Sequence, residues 1–161
     1  MTNAPEPCKT CGSATKITTL GSFRGEQGPV VVIVNGMPAL VCDQGHKRFL
    51  YPGFADRLMD FVADAEKVAP QPPAARRGWF RKRYHCNGCD AELPAVPTKK
   101  SECVLDASFE NAAPFKVVVQ VALYKCEGCG REQVLTNEEV ARCAPEAVAH
   151  GIRAEDIHTD R

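Results

Sequence analysis

Along the chain the apolar positions change period several times, and the changes mark elements. Ala14 to Leu20, rich in Thr and Ile, reads as a short strand, and Gly21 to Gly28 as a loop with three glycines. Val30 to Val34 is a β-branched run that predicts a further strand. Asn35-Gly36 then reads as a two-residue hairpin turn, returning through a strand at Pro38 to Val41. A strand at Arg48 to Tyr51 precedes a helix over Phe54 to Val68. There Phe54, Leu58, Phe61, Val62, Ala65 and Val68 recur at helical spacing, while Asp56, Asp60 and Asp64 lie on another face. Such a stripe packs on the chain's own sheet or, as the alternative, on a partner. The proline-containing residues 69–78 read as a semi-extended linker.

The second half repeats this order. Strands are expected near Glu102 to Leu105, at Phe115 to Lys125 and at Glu132 to Leu135. Thr136-Asn137-Glu138-Glu139 is a capping box that opens a helix through Val140 to Cys143. Pro145 suits the first turn of a second short helix, which Gly151 would end, leaving 152–161 frayed. Residues 1–7 read as a mobile tail.

Cysteine changes the picture most. Nine cysteines occur in 161 residues. Cys86-Asn87-Gly88-Cys89 and Cys126-Glu127-Gly128-Cys129 are Cys-x-x-Cys turns, each with a glycine between the cysteines that is expected to take the unusual backbone angle. A tetrahedron of four N or S ligands suits zinc, and a closed set of four is structural. Cys8-Lys9-Thr10-Cys11 opens the first half. There the fourth cysteine expected at position 45 is Gly45, and His46, one residue on, has the reach to complete a set of Cys8, Cys11, Cys42 and His46. His85 beside Cys86 is a candidate supporting group or an exposed ring. Cys103 and Cys143 read as small buried apolar residues.

The expected fold is therefore a small zinc-stabilised, β-rich α+β protein holding two zinc ions. It comprises two tandem zinc ribbons, each an antiparallel meander followed by a helix: residues 1–68, a linker over 69–83, and residues 84–161. Modules of this size seldom fold without a staple. The N-terminus carries no basic, apolar leader, and the longest aliphatic run, Val30 to Val34, is far too short to span a bilayer. A cytoplasmic location is expected, and in a reducing compartment paired Cys-x-x-Cys turns favour metal over disulfides.

Formal net charge is zero, with twenty basic and twenty acidic side chains. Residues 70–85 alone are one-sided, with five basic and no acidic groups. Thiolate-bound zinc would add negative charge elsewhere, which argues against bulk nucleic-acid affinity. Arg76, Arg77, Arg81, Lys82 and Arg83, interleaved with Trp79, Phe80 and Tyr84, form a candidate contact for single-stranded RNA or DNA. The alternative is a solvated linker.

No catalytic set is evident. Pro7-Cys8-x-x-Cys11 matches half of the zinc deaminase signature, but no His-x-Glu stands upstream. The chain is expected to be a non-enzyme that binds no small-molecule substrate and no membrane. It would act as an adaptor or regulator through a protein partner. Nucleic-acid binding and thiol-based redox or zinc sensing are the alternatives.

Cys8-x-x-Cys11-Gly12, the meander that follows, and Met37-Pro38-Ala39-Leu40-Val41-Cys42 resemble the YgiT-type zinc finger, the zinc-ribbon domain of MqsA-like antitoxins. The resemblance covers roughly residues 6–68 and more loosely 84–143. It implies a structural zinc module; in complete antitoxins that module contacts a toxin while a helix-turn-helix domain binds DNA. Two departures stand out. Gly45-His46 replaces the usual final Cys-Gly, and a second ribbon stands in place of the helix-turn-helix domain.

Overall fold

The computed structural model describes residues 5–69, 71–78, 83–134 and 136–158. Eleven strands and three helices follow one another along these residues. The first part contributes β1 (Thr15–Thr19), β2 (Phe23–Gln27), β3 (Val30–Asn35), β4 (Pro38–Cys42), β5 (Lys47–Arg48), α1 (Phe54–Val62) and the single turn α2 (Ala65–Val68). Next come β6 (Ala75–Arg77), β7 (Arg83–His85), β8 (Lys99–Ala107), β9 (Phe115–Lys125), β10 (Glu132–Gln133), α3 (Asn137–Ala154) and β11 (Ile157–His158).

The two halves of the sequence share one sheet. β3 pairs antiparallel with β9 from Val30↔Val121 to Asn35↔Lys116. On the far side of β9 lies β8, in register from Lys99↔Leu123 to Ala107↔Phe115. β2 closes the other side through β3. The expected division into 1–68, 69–83 and 84–161 is therefore not a division of the packing. One core joins Val32, Val34, Phe54 and Leu58 to Val117, Val119, Val140 and Val148. β3 is nearly all buried because it is central, paired on both edges and covered by α3 on one face. Its unbroken β-branched run is the sequence signature of such a strand.

Centrality also explains why Asn35-Gly36 is not a hairpin. β3 has no edge left for a return strand, so at Gly36 (φ 71°) the chain crosses into a second sheet. That sheet has the order β1-β4-β5-β11. The hairpin is instead the two-residue Gly28-Pro29 connection between β2 and β3.

The stretch expected as a glycine loop, 21–28, holds β2. Its Gly25 is there for contact: a Cβ at this position would run into the Ala147 carbonyl oxygen of α3. Opposite it, a Cβ on Gly151 would stand 3.2 Å from the Gly25 nitrogen. Gly151 thus marks the crossing of α3 over β2, and the helix continues beyond it to Ala154.

α3 is one helix with Pro145 inside it, not two. Its buried face, from Val140 and Cys143 through Ala147, Val148 and Ile152, stays on the sheet throughout. That burial outweighs the missing hydrogen bond of the proline. Thr136 caps it as expected, its Oγ1 accepting from the Glu139 N–H at 3.0 Å.

The helix expected over Phe54 to Val68 breaks at Ala63-Asp64. The Asp64 carboxylate accepts from the Lys67 N–H at 3.3 Å, a cap that competes with helix continuation. The strand expected at Arg48 to Tyr51 is shorter and earlier, Lys47–Arg48, whereas that expected near Glu102 extends to nine residues. Nor is the C-terminal end frayed up to His158. Ile157, 5% exposed, and His158 pair parallel with Lys47 and Arg48, so β11 joins the sheet that holds β5. Lys47 Nζ binds the Glu155 carboxylate at 3.0 Å and its carbonyl oxygen at 3.2 Å.

No described helix is long and apolar enough to cross a membrane.

Candidate metal centres

Three Cys-x-x-Cys turns share one backbone design. The N–H of the first cysteine donates to the carbonyl five residues on: Cys8 to Ser13 at 2.8 Å, Cys86 to Ala91 at 2.8 Å and Cys126 to Arg131 at 2.9 Å. The residue after the second cysteine donates back to the first, Gly12 to Cys8, Asp90 to Cys86 and Gly130 to Cys126. That residue is the one in the left-handed region, with φ 75° at Gly12, 65° at Asp90 and 77° at Gly130. The glycines between the cysteines, Gly88 and Gly128, do not have positive φ, contrary to the sequence expectation.

The fourth turn is one residue shorter. Gly45 donates to the Cys42 carbonyl at 2.9 Å and itself takes φ 84°. The left-handed position has moved to the slot where a cysteine would stand, and the next residue, His46, faces the cluster.

The turns meet in two clusters, in each of which the ligand atoms lie within 4.8 Å of one another. In the first, His46 Nδ1 lies 3.6 Å from Cys8 Sγ and 3.4 Å from Cys42 Sγ, and Cys11 Sγ lies 3.7 Å from Cys42 Sγ. In the second, Cys86 Sγ is 3.5 Å from Cys129 Sγ, and Cys89 Sγ is 3.4 Å from Cys126 Sγ. All nine cysteines are free thiols. A tetrahedral zinc with typical bond lengths separates two sulfurs by about 3.8 Å, and a sulfur from a nitrogen by about 3.5 Å. Both clusters match those spacings, so both could hold a metal ion.

β4 and β5 present Cys42 and His46, while the loop before β1 brings Cys8 and Cys11. β7 leads into Cys86 and β9 into Cys126. In the second cluster the first cysteine of each turn is buried and the second exposed: Cys86 and Cys126 pack with Ala74, Leu93, Ala122 and Tyr124, whereas Cys89 and Cys129 face solvent.

Gln133 is a supporting residue that the sequence pattern gave no sign of. It is the one fully buried polar side chain among the described residues. Its Oε1 accepts from the Asn87 N–H at 2.9 Å, and its Nε2 donates to the Arg131 carbonyl oxygen at 3.5 Å. It thereby ties one turn of the second cluster to the other. The Gln133 amide, aided by the Cys89 and Gly88 N–H groups, lowers the Cys86 thiol to about 6. Around Cys89 the Ala91 N–H pulls the other way, but Cys126, burial, Cys129 and Cys86 together push this thiol up to about 11. At the first cluster, Ser13 side chain and backbone lower Cys11 to about 7. Asn87 adds a second tie, accepting from Arg131 Nη1 at 2.8 Å and donating to the Pro73 carbonyl at 2.8 Å.

The remaining candidates take structural places. His85 is half-buried, its Nδ1 3.0 Å from the Asp90 carbonyl oxygen, so it braces the turn that carries Cys86. Cys143 is fully buried in the core. Cys103 is only half-buried and donates to the Lys67 carbonyl at 3.3 Å. Of the basic segment, Arg77 pairs with Asp90 at 2.8 Å and Arg83 with Glu92 at 3.5 Å. Arg77 and Arg83 stand opposite each other across β6 and β7, and Arg76 precedes Arg77, opposite Tyr84. Trp79, Phe80, Arg81 and Lys82 lie outside the described residues.

Fold and site together define a small β-rich protein with two four-residue clusters able to hold metal ions. No protein-family model, no curated protein and no solved structure matches the chain. The functional reading therefore rests on the sites themselves.

Proposed function

We propose that the protein is a non-catalytic zinc protein. Cys8, Cys11, Cys42 and His46 would hold one structural ion, and Cys86, Cys89, Cys126 and Cys129 the other. The observation that carries this reading is the spacing of the donor atoms, 3.4–3.7 Å between the closest pairs, set by three turns of one backbone design and a fourth that is one residue shorter. Thiolate sulfur and imidazole nitrogen are the donors zinc prefers. Four protein ligands leave no position for a reacting water. The ions would supply folding energy rather than chemistry.

On this reading the protein acts through its surface, as an adaptor or regulator for a protein partner. The resemblance of residues 6–68 to the YgiT-type zinc finger supports a structural zinc module. Nucleic-acid binding through 76–84 is the weaker reading, because Asp90 and Glu92 already pair with Arg77 and Arg83.

Native mass spectrometry of the purified protein tests the proposal. Two zinc ions, lost together with the fold on denaturation, and a co-purifying protein are the expected result. One ion would remove His46 from the ligand set. Turnover that depends on the bound metal would overturn the non-catalytic reading.

A further inference from the structure

The sheet leaves one long edge open. β8 bonds to β9 along nine residues. Among the described residues no backbone group outside β9 bonds to the backbone of β8. The opposite edge strand, β2, has α3 packed against it, and the Glu26 carbonyl oxygen lies 2.8 Å from His150 Nδ1. An open strand edge is a template for another strand unless it is blunted. Blunting by charge works when the charges would repel an incoming copy. On β8 they would attract one.

The solvent face of β8 carries, in order, Lys100, Glu102, Val104 and Asp106. Two antiparallel copies overlap over all nine residues in a single register, with Cys103 on the twofold axis. That register sets Lys100 opposite Asp106 of the second copy, twice by symmetry, and Glu102 opposite Val104. No like charges face each other. Slipping the register by two residues sets Glu102 against Glu102 in one direction and against Asp106 in the other. Full overlap and charge complementarity therefore select the same pairing, and like charges directly opposite disfavour its neighbours. Val104, 53% exposed, gains a neighbour in it.

We infer that two copies of this chain pair antiparallel through β8, joining their sheets into one continuous sheet across a twofold axis. The contact is isologous and closes on itself, so it stops at two copies. It rests on the strand edge and not on the metal reading.

Sedimentation of the metal-loaded wild-type protein across a wide concentration range tests it. A concentration-dependent dimer is expected. Lys100→Asp should weaken dimerisation about tenfold or more by facing Asp106, and adding Asp106→Lys should restore it. Asp106 also pairs with Lys116 within the chain, at 2.6 Å, so a second pair of variants guards against misfolding. At the exposed Val104, Val104→Glu faces Glu102 and should weaken the dimer, whereas Val104→Lys should tighten it. A monomer at every concentration overturns the proposal. So does a dimer indifferent to all four substitutions, which would place the contact elsewhere.

Discussion

A left-handed residue closes each of the four turns that build the clusters, and its position decides which side chain can face the cluster. When it follows the second cysteine, as at Gly12, Asp90 and Gly130, two sulfurs point the same way. When it moves one place earlier, to Gly45, the side chain that faces the cluster moves one place later, to His46. Left-handed backbone costs an L-residue roughly 1–2 kcal/mol. Gly130→Ala should therefore destabilise the protein by about that amount, since a Cβ there would meet only Lys125 Cε, at 4.0 Å, and the conformation alone is strained. Gly88→Ala should cost less, because its backbone is ordinary and its neighbour, the Arg131 guanidinium, is the end of a flexible chain. Chemical denaturation of the two variants compares them.

Gln133 belongs to the same scale. Removing its amide by Gln133→Leu frees the Asn87 N–H and withdraws the group that lowers Cys86. Losing such a supporting partner typically weakens metal binding by about 10–100-fold. Chelator competition should show that loss at the second cluster and not at the first. Protons compete with metal for the same sulfurs. With Cys86 at about 6 and Cys89 at about 11, Cys89 must give up a proton to bind metal at pH 7 while Cys86 is already a thiolate. Affinity at this cluster should fall as pH falls, more steeply once pH drops through about 6, where Cys86 must lose a proton too. Metal competition at pH 5.5, 7 and 8 reads the slope.

Among the elements, the crossing of α3 over β2 brings two backbones into close approach. Gly25 and Gly151 face each other there with no room for a methyl group on Gly25. Gly25→Ala would push its Cβ into the Ala147 carbonyl, which is backbone and cannot rotate away. Overpacking of this kind costs about 1–3 kcal/mol or more. The variant should lose that much stability in urea or heat denaturation, with metal content unchanged where it remains folded. The same crossing explains why two glycines that suggest a loop and a helix end lie inside a strand and a helix. In sequence a glycine signals only the lack of a side chain. Whether the chain uses that for a turn or for close approach depends on what lies opposite.

At the scale of the molecule, the two clusters belong to one folding unit. β9 pairs with β3 from the first half, and it ends at Lys125, next to Cys126 of the second cluster. β11 from the C-terminal end pairs with β5, next to His46 of the first cluster. Metal removal by a strong chelator should therefore unfold the chain in one cooperative step rather than as two independent modules. Circular dichroism followed during zinc titration distinguishes a single transition from two. Truncation after Ala154 removes the Ile157–His158 pairing and the Lys47–Glu155 contact. It should loosen metal at the first cluster while leaving the second intact, a local effect that selective loss of one ion on chelation would reveal.

The sequence by itself determined which eight residues gather in the two clusters and two of the strands that lead to them, β4 and β9. Spacing of cysteines fixes which sulfurs share a turn, and a β-branched run such as Val30 to Val34 is a strand almost wherever it lies. Thr136 is a cap for the same reason, since its hydroxyl meets a backbone N–H only three residues away. These are local facts, decided within a few residues. Tertiary structure alone decided the rest. It paired β3 with β9 rather than with β4, kept α3 continuous through Pro145, and placed Gly25 under a helix. It also buried Gln133 between the two turns of one cluster. Each of these depends on groups far apart in the chain, whose burial and hydrogen bonds exceed the local preferences that they override.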